Sequence, residues 1–188
     1  AHKNLGITLR DLGQMDEAVK SLNKAISAEP NNVDAHYNLA ITLKDLNQSN
    51  SAIQSYKKAI EIKPDFVQAH NNLGNLYKDL GQTDKALKSY RKAIEIKPDF
   101  AHAHNNLGNT FKDLENYKDA IKSYEKAIAI NPNFSEAHNN LGNVFKDIDE
   151  LDKAVNSYQE AVELDKNLYE AYYNLGVVFI QLKRFNEA

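Results

Sequence analysis

Three kinds of residue recur along the chain at a constant interval of 34 residues: a leucine, a small residue directly after it, and an alanine further along. Pro30, Pro64, Pro98 and Pro132 share that interval, so we number each repeat such that its Pro is position 32. Position 7 is then Leu in every repeat, position 8 is Gly or Ala, and position 20 is Ala as far as Ala188. An interval of this length is typical of an array of one repeated supersecondary unit.

Within each repeat, the apolar spacing predicts two helices. Helix A covers about positions 1–14, and helix B covers about positions 15–30, where Pro ends it. On a helical projection, positions 3, 4, 7, 8, 10, 11 and 14 of helix A form one sector rich in Ala, His, Leu, Gly and aromatic residues. One repeat cannot bury this sector alone, so we expect neighbouring repeats to stack around a continuous core and leave an extended concave surface.

Aromatic residues and further alanines complete the pattern. Position 11 is Tyr or Phe in repeats 3–6, position 24 is Tyr in four repeats, and position 27 is Ala in five. Together with the residues above, this pattern resembles the tetratricopeptide repeat (TPR) family along the whole chain. The resemblance implies an all-α, right-handed superhelical solenoid of helix-turn-helix repeats that binds other proteins. The departures are His at position 4 of the first five repeats and Lys166 in place of a fifth Pro.

The period predicts a single TPR array over residues 1–188. Its repeats cover about residues 1–32 (partial), 33–66, 67–100, 101–134, 135–168 and 169–188 (partial). The array starts and stops inside a repeat, so we expect it to be a piece of a longer protein. Self-association of copies through the uncovered ends is a further option.

Asparagine is concentrated in the polar sector of helix A, which lines the concave groove in the TPR family. Position 6 is Asn in all six repeats, and repeats 3–5 add Asn at positions 5 and 9, so these three positions hold 12 of the 23 Asn residues. Asn in a helix costs up to about 0.7 kcal/mol relative to Ala, and its carboxamide can bind both the C=O and the N–H of a peptide unit. The predicted peptide-binding asparagines are Asn38, Asn71, Asn72, Asn75, Asn105, Asn106, Asn109, Asn139, Asn140, Asn143 and Asn174.

This row resembles the asparagine ladder in the TPR arrays of O-linked N-acetylglucosamine transferases. The resemblance implies that the row holds the main chain of an extended or disordered protein segment. One alternative is that the chain is the substrate-recognition arm of a larger glycosyltransferase or sulfotransferase. Another is an engineered or structural array without a specific ligand, in which duplication has copied neutral Asn residues.

Position 12 carries a cation in five repeats, and Asp follows it at position 13. These charges either pair with charged ligand side chains or form a solvated face, and we include Lys78, Lys112 and Lys146 in the predicted peptide-binding site. The carboxylate clamp of some TPR proteins is not expected, because Gln68 and Asn72 stand where that motif needs cations.

Histidine occupies position 4 of five repeats, at His2, His36, His70, His104 and His138. The core-facing angle and the 34-residue spacing favour a packing role with locally bonded ring nitrogens over a metal site. His102, at position 2, faces the groove and is a candidate ligand contact.

The composition of the chain reduces the number of possible functions and partners. The 23 basic and 26 acidic residues are interleaved, so neither nucleic acid nor a membrane is an expected partner. The chain lacks cysteine, a long apolar stretch, a phosphate-binding loop and a nucleophile motif. We therefore expect a soluble, cytoplasmic, non-enzymatic module that needs no cofactor or metal and takes a protein or peptide ligand in extended conformation.

Overall fold

The computed structural model describes residues 2–183, which form eleven α-helices and no strand within that range. By internal contacts the chain divides into two compact units, Ala1–Ile96 and Lys97–Ala188, which we call the N-terminal half and the C-terminal half. The N-terminal half contains α1 (His2–Asp11), α2 (Met15–Ala28), α3 (Val33–Asp45), α4 (Ser49–Ile62), α5 (Val67–Asp79) and α6 (Thr83–Ile96). The C-terminal half contains α7 (Ala101–Asp113), α8 (Tyr117–Ile130), α9 (Ser135–Asp147), α10 (Leu151–Leu164) and α11 (Tyr169–Gln181).

Odd-numbered helices are helix A of a repeat and even-numbered helices are helix B. The predicted fold class, an all-α array of helix-turn-helix repeats, is therefore confirmed. Within each half, a helix packs against its partner in the same repeat and against the next repeat along the chain. No helix among residues 2–183 combines the length and the apolar character needed to cross a membrane.

The turn between helix A and helix B is the same in every repeat. Position 15 has a positive φ in all six copies: Gly13, Asn47, Gly81, Glu115, Asp149 and Lys183. The N–H of position 15 donates to position 12 and the N–H of position 16 donates to position 11, as in Asn47 to Lys44 and Gln48 to Leu43, both at 2.8 Å. This pair of bonds is a Schellman motif, which ends helix A with one left-handed residue.

This turn corrects two sequence expectations. Helix B begins at position 17 rather than about position 15, because positions 14–16 are used by the turn. Position 14 was expected in the core, yet Leu12, Leu80 and Leu114 are exposed. The backbone leaves the helical path there, so the side chain no longer follows the apolar sector of helix A.

The core is made of alanine and tyrosine. Ala35, Ala69, Ala103, Ala137 and Ala171, at position 3, are all fully buried. So are the position 20 alanines from Ala18 to Ala154 and the tyrosines at position 24, which are Tyr56, Tyr90, Tyr124 and Tyr158. The position 20 prediction for Ala188 falls outside the described residues. Small residues at positions 3 and 20 let the two helices of a repeat approach closely while the Tyr ring fills the space beside them.

Four of the five position 4 histidines bond to the loop before their own helix. The Nε2 atoms of His36, His70 and His104 lie 2.9 Å from the carbonyl oxygens of Pro30, Pro64 and Pro98. His138 makes the same contact with Pro132 at 3.1 Å. A carbonyl oxygen only accepts, so the Nε2–H of each ring donates. These four histidines thus tie helix A to the preceding loop, as expected for locally bonded rings.

Candidate functional site

The predicted asparagines lie on helix A at positions 5, 6 and 9, with cations at position 12. We call this surface the amide face and describe it separately for each half. In the N-terminal half it comprises Asn38, Asn71, Asn72, Asn75 and Lys78. In the C-terminal half it comprises Asn105, Asn106, Asn109, Lys112, Asn139, Asn140, Asn143, Lys146 and Asn174. Positions 5, 9 and 12 follow one another at three- and four-residue steps, so their side chains share one side of the helix.

The asparagines at position 5 lie beneath this surface. Asn71, Asn105 and Asn139 are 6%, 4% and 3% exposed. In the C-terminal half the next repeat contacts them: Asn140 Nδ2 donates to Asn105 Oδ1 at 3.2 Å, and Asn174 Nδ2 donates to Asn139 Oδ1 at 3.3 Å. The position 5 amides therefore brace successive repeats.

The asparagines at position 6 are half-buried in α3, α5, α7 and α9. Asn72 Nδ2 donates to the Tyr37 hydroxyl at 2.9 Å, so a residue of the preceding repeat orients it. Asn38 is oriented differently, because its Nδ2 donates to the Asp34 carbonyl at 2.8 Å and its Oδ1 accepts from Arg10 at 3.3 Å. Each of these side chains is thus held by another part of the protein while part of the carboxamide remains accessible.

The asparagines at position 9 are bonded to the core tyrosines. The hydroxyls of Tyr90, Tyr124 and Tyr158 donate to the Oδ1 atoms of Asn75, Asn109 and Asn143 at 2.8, 2.7 and 2.8 Å. These asparagines are half-buried, and the tyrosine hydroxyl occupies the Oδ1 edge of each carboxamide. The amide face is therefore connected to the core through one hydroxyl in each of these repeats.

Three of the core tyrosines, Tyr56, Tyr124 and Tyr158, have a raised pKa and remain protonated at neutral pH. Burial raises the pKa of Tyr56, Tyr124 and Tyr158 above the ordinary value of 10.0, and nearby carboxylates such as Asp147 raise the pKa of Tyr124 and Tyr158 further. A raised pKa keeps the O–H proton in place, so each hydroxyl can act as a hydrogen-bond donor.

Two of the cations at position 12 pair with an aspartate of the next repeat. Lys44 Nζ lies 3.6 Å from Asp79 Oδ2, and Lys112 Nζ lies 3.9 Å from Asp147 Oδ2. Lys146 differs, because Gln181 stands at position 13 of the following repeat and no residue among 2–183 forms a salt bridge with Lys146. These pairs are partly exposed, so each contributes at most about 1 kcal/mol.

The histidines at position 4 and His102 do not form a metal centre within residues 2–183. Within residues 2–183, His, Asp and Glu side chains do not gather in any group that could hold a metal ion. His102 is exposed and lies edge-on to Phe100 and Phe134, with ring centroids 5.7 and 5.0 Å away. Its ring packs against the edges of two repeats rather than beside the amide face.

Two features of the site were not predicted from the sequence. Position 5 was expected on the groove, but its asparagines are buried. The tyrosine hydroxyls had no predicted role, but they bond to the asparagines at position 9. The sequence did contain a signal for the role of the tyrosine hydroxyls. Asn at position 9 occurs only in repeats that have Gly at position 8 and Tyr at position 24. That combination within one repeat indicates a contact between its two helices.

Comparison with known proteins assigns the family. The TPR repeat model matches residues 6–47, 42–81, 74–115, 108–149 and 142–183, which together cover nearly the whole chain. The chain therefore belongs to the TPR repeat family. No protein with a curated description matches it.

Solved structures show the same fold. MamA is 28% identical, with 86% of this chain and 94% of MamA covered and a TM-score of 0.76. TTC0263, a thermophilic TPR protein of Thermus thermophilus, is 22% identical, with coverage of 95% and 97% and a TM-score of 0.74. YrrB, described as a TPR protein with an unusual peptide-binding site, is 17% identical, with coverage of 92% and 89% and a TM-score of 0.71.

Proposed function

We propose that the amide face binds an extended segment of a partner protein through the main chain of that segment. The observation that carries this proposal is the state of the carboxamides at positions 6 and 9. All of them except the buried Asn174 are half-buried, and protein hydrogen bonds hold side chains such as Asn72, Asn109 and Asn143 before any ligand is present. A carboxamide pairs well with a peptide unit, since each has one carbonyl acceptor and N–H donors. Side chains that are already ordered lose less conformational entropy on binding.

Three further observations support a binding module. TPR repeats form protein-interaction modules, and YrrB, which shares the fold, is described as having a peptide-binding site. The position 5 asparagines stiffen the surface from below. The basic residues at position 12 flank the amides, and Lys146, which is half-buried and outside any described ion pair, is available for an acidic ligand group.

The test starts from a peptide selected against the whole protein from a displayed library of random 12-residue sequences. Its affinity is then measured by fluorescence anisotropy with the wild type and with an Asn106→Ala/Asn140→Ala variant. Each main-chain hydrogen bond contributes about 0.5–1.5 kcal/mol net, so loss of one at each site should weaken binding roughly five- to 150-fold. Asn140→Ala also removes the hydrogen bond to the buried Asn105, so thermal stability should fall even though Ala is the better helix former.

The matched control is Asn156→Ala, an exposed Asn inside helix α10 and away from the amide face. It gains the same helix propensity and should leave the affinity unchanged. A second control acts on the ligand, because methylating its backbone nitrogens removes N–H donors without altering side chains. Binding that depends on ligand side chains but tolerates both N-methylation and the double substitution would refute the proposal.

A further inference from the structure

Three repeats share a set of residues that joins the core to the amide face. Gly at position 8, Asn at position 9 and Tyr at position 24 occur together only in α5–α6, α7–α8 and α9–α10. The sets are Gly74, Asn75 and Tyr90; Gly108, Asn109 and Tyr124; and Gly142, Asn143 and Tyr158. The fully buried ring crosses the glycine and ends in a hydroxyl that meets the carboxamide.

The glycine is needed for this arrangement. A Cβ built on Gly74 would lie 2.6 Å from Tyr90 Cε1, and those on Gly108 and Gly142 would lie 2.7 Å from the rings of Tyr124 and Tyr158. These distances are far below van der Waals contact, so any larger residue would displace the ring. Glycine lowers helix propensity by about 1 kcal/mol, and here it lets a tyrosine hydroxyl reach helix A.

In all three repeats the Tyr hydroxyl donates to Oδ1, so the Nδ2 group forms the other edge of the carboxamide. At Asn143 a second donor supports this orientation, because Asn174 Nδ2 lies 3.1 Å from Asn143 Oδ1. Reversing the Asn143 carboxamide would place its NH₂ group against that of Asn174 and would turn the Tyr158 hydroxyl from a donor into an acceptor.

We propose that Tyr124 and Tyr158 in the C-terminal half, and Tyr90 in the N-terminal half, are positioning residues that make Asn109, Asn143 and Asn75 of their own repeats N–H donors. Position 9 then binds carbonyl oxygens of the ligand main chain and does not bind its N–H groups. This inference rests on the proposed function and deepens it, because it assigns a hydrogen-bonding polarity to position 9 of the amide face. The ligand class is an extended segment that presents accessible main-chain carbonyls to Asn109 and Asn143 of the C-terminal half.

The first experiment removes the hydroxyl. Tyr124→Phe should weaken binding of the library-selected peptide about three- to ten-fold, since the amide loses its orientation but keeps its donors. Tyr117→Phe on the same helix is the matched control, because its half-buried ring packs in the neighbouring apolar cluster and no hydrogen bond holds its hydroxyl among the described residues. A wild-type affinity for Tyr124→Phe would overturn the inference.

The second experiment separates donor from acceptor. In Asn109→Asp the side chain keeps its shape and still accepts from Tyr124, but it has no N–H. We expect a loss at least as large as that of Tyr124→Phe, with Asn156→Asp as the control for added charge. If Asn109→Asp retained wild-type affinity, position 9 would act as an acceptor and the inference would be wrong.

The third measurement needs no ligand. In nuclear Overhauser spectra of the free protein, the Asn109 NH₂ protons should give weak signals to the ring edge of Tyr124, because Oδ1 lies between them. Strong signals would indicate the reversed carboxamide and refute the inference. If no peptide is selected from the library, the proposed function fails while this spectrum still decides the orientation. If the peptide binds but Tyr124→Phe has no effect, only the inference fails.

Discussion

Two neighbouring repeats in the N-terminal half share a backbone and differ in the amide face. Helices α3–α4 have Tyr37, Ala40 and Ile41 at positions 5, 8 and 9, whereas α5–α6 have Asn71, Gly74 and Asn75. Both pairs bury a tyrosine at position 24. The Tyr90 hydroxyl bonds to Asn75 of its own repeat, whereas the Tyr56 hydroxyl is bonded by Asn72 of the next one. Ile41 at position 9 has no side-chain acceptor, so the Tyr56 hydroxyl cannot make the bond that Tyr90 makes within its own repeat.

The comparison separates what the fold requires from what it tolerates. A buried Tyr at position 24 and a small residue at position 8 are common to both pairs, while the residue at position 9 changes from Ile to Asn without altering the helices. The carboxamides at position 9 are therefore not needed to form the repeat. This is the pattern expected when packing positions maintain the scaffold and surface positions carry function.

The largest loss of stability is expected from removing the buried tyrosine at position 24, which both helix pairs share. Tyr56→Ala and Tyr90→Ala each remove a fully buried aromatic side chain, which costs about 3–5 kcal/mol. Both should lower the midpoint of urea unfolding by a similar amount, since the two rings are equally buried. A much smaller loss at one site would show that the two repeats do not share the same core.

Exchanging the small residues at position 8 should have the next largest effect on stability. Gly74→Ala brings a Cβ within 2.6 Å of Tyr90, and overpacking of about 1–3 kcal/mol exceeds the gain of about 1 kcal/mol in helix propensity. We expect net destabilisation of about 1 kcal/mol in thermal unfolding. Ala40→Gly is the reverse exchange and should cost about 1–2 kcal/mol, because helix propensity falls and a fully buried methyl group is lost. An increase in stability for Gly74→Ala would contradict the close packing of this tyrosine.

The turns differ between the same two repeats. Position 15 is Asn47 with φ 59° in one and Gly81 with φ 69° in the other. No atom lies within 4 Å of a Cβ at Gly81, so Gly81→Ala changes only the backbone strain and should destabilise by about 1 kcal/mol. Asn47→Gly should be close to neutral, because Asn tolerates this conformation. Equal stabilities of Gly81→Ala and the wild type in chemical denaturation would argue against the left-handed turn.

The smallest effect is expected for the charges that connect the two repeats. Lys44→Met removes the exposed pair with Asp79 and keeps most of the apolar side chain. The loss should be below about 0.5 kcal/mol and should vanish at high salt. A loss above about 1 kcal/mol that persists in salt would mean that Lys44 contributes through packing rather than charge.

Much of the fold follows from the sequence. The 34-residue period, the alanines at positions 3 and 20 and the tyrosine at position 24 predict paired helices and their buried faces, and the structure confirms both. These predictions succeed because helical periodicity and side-chain volume are local properties. The turn was less predictable from the sequence. Only two of the six residues with positive φ at position 15 are glycine, so the sequence gives only a weak indication of the Schellman motif.

The candidate site shows where local reasoning ends. The sequence alone located the asparagines on helix A and indicated that they are not required for packing. Only the tertiary structure showed that Asn71, Asn105 and Asn139 are buried and that Asn75, Asn109 and Asn143 are bonded to tyrosines of helix B. Helical periodicity assigns a side chain to a face, but the distance to a neighbouring helix decides whether that face is buried. Burial and orientation of the amides thus depend on how closely successive helices approach.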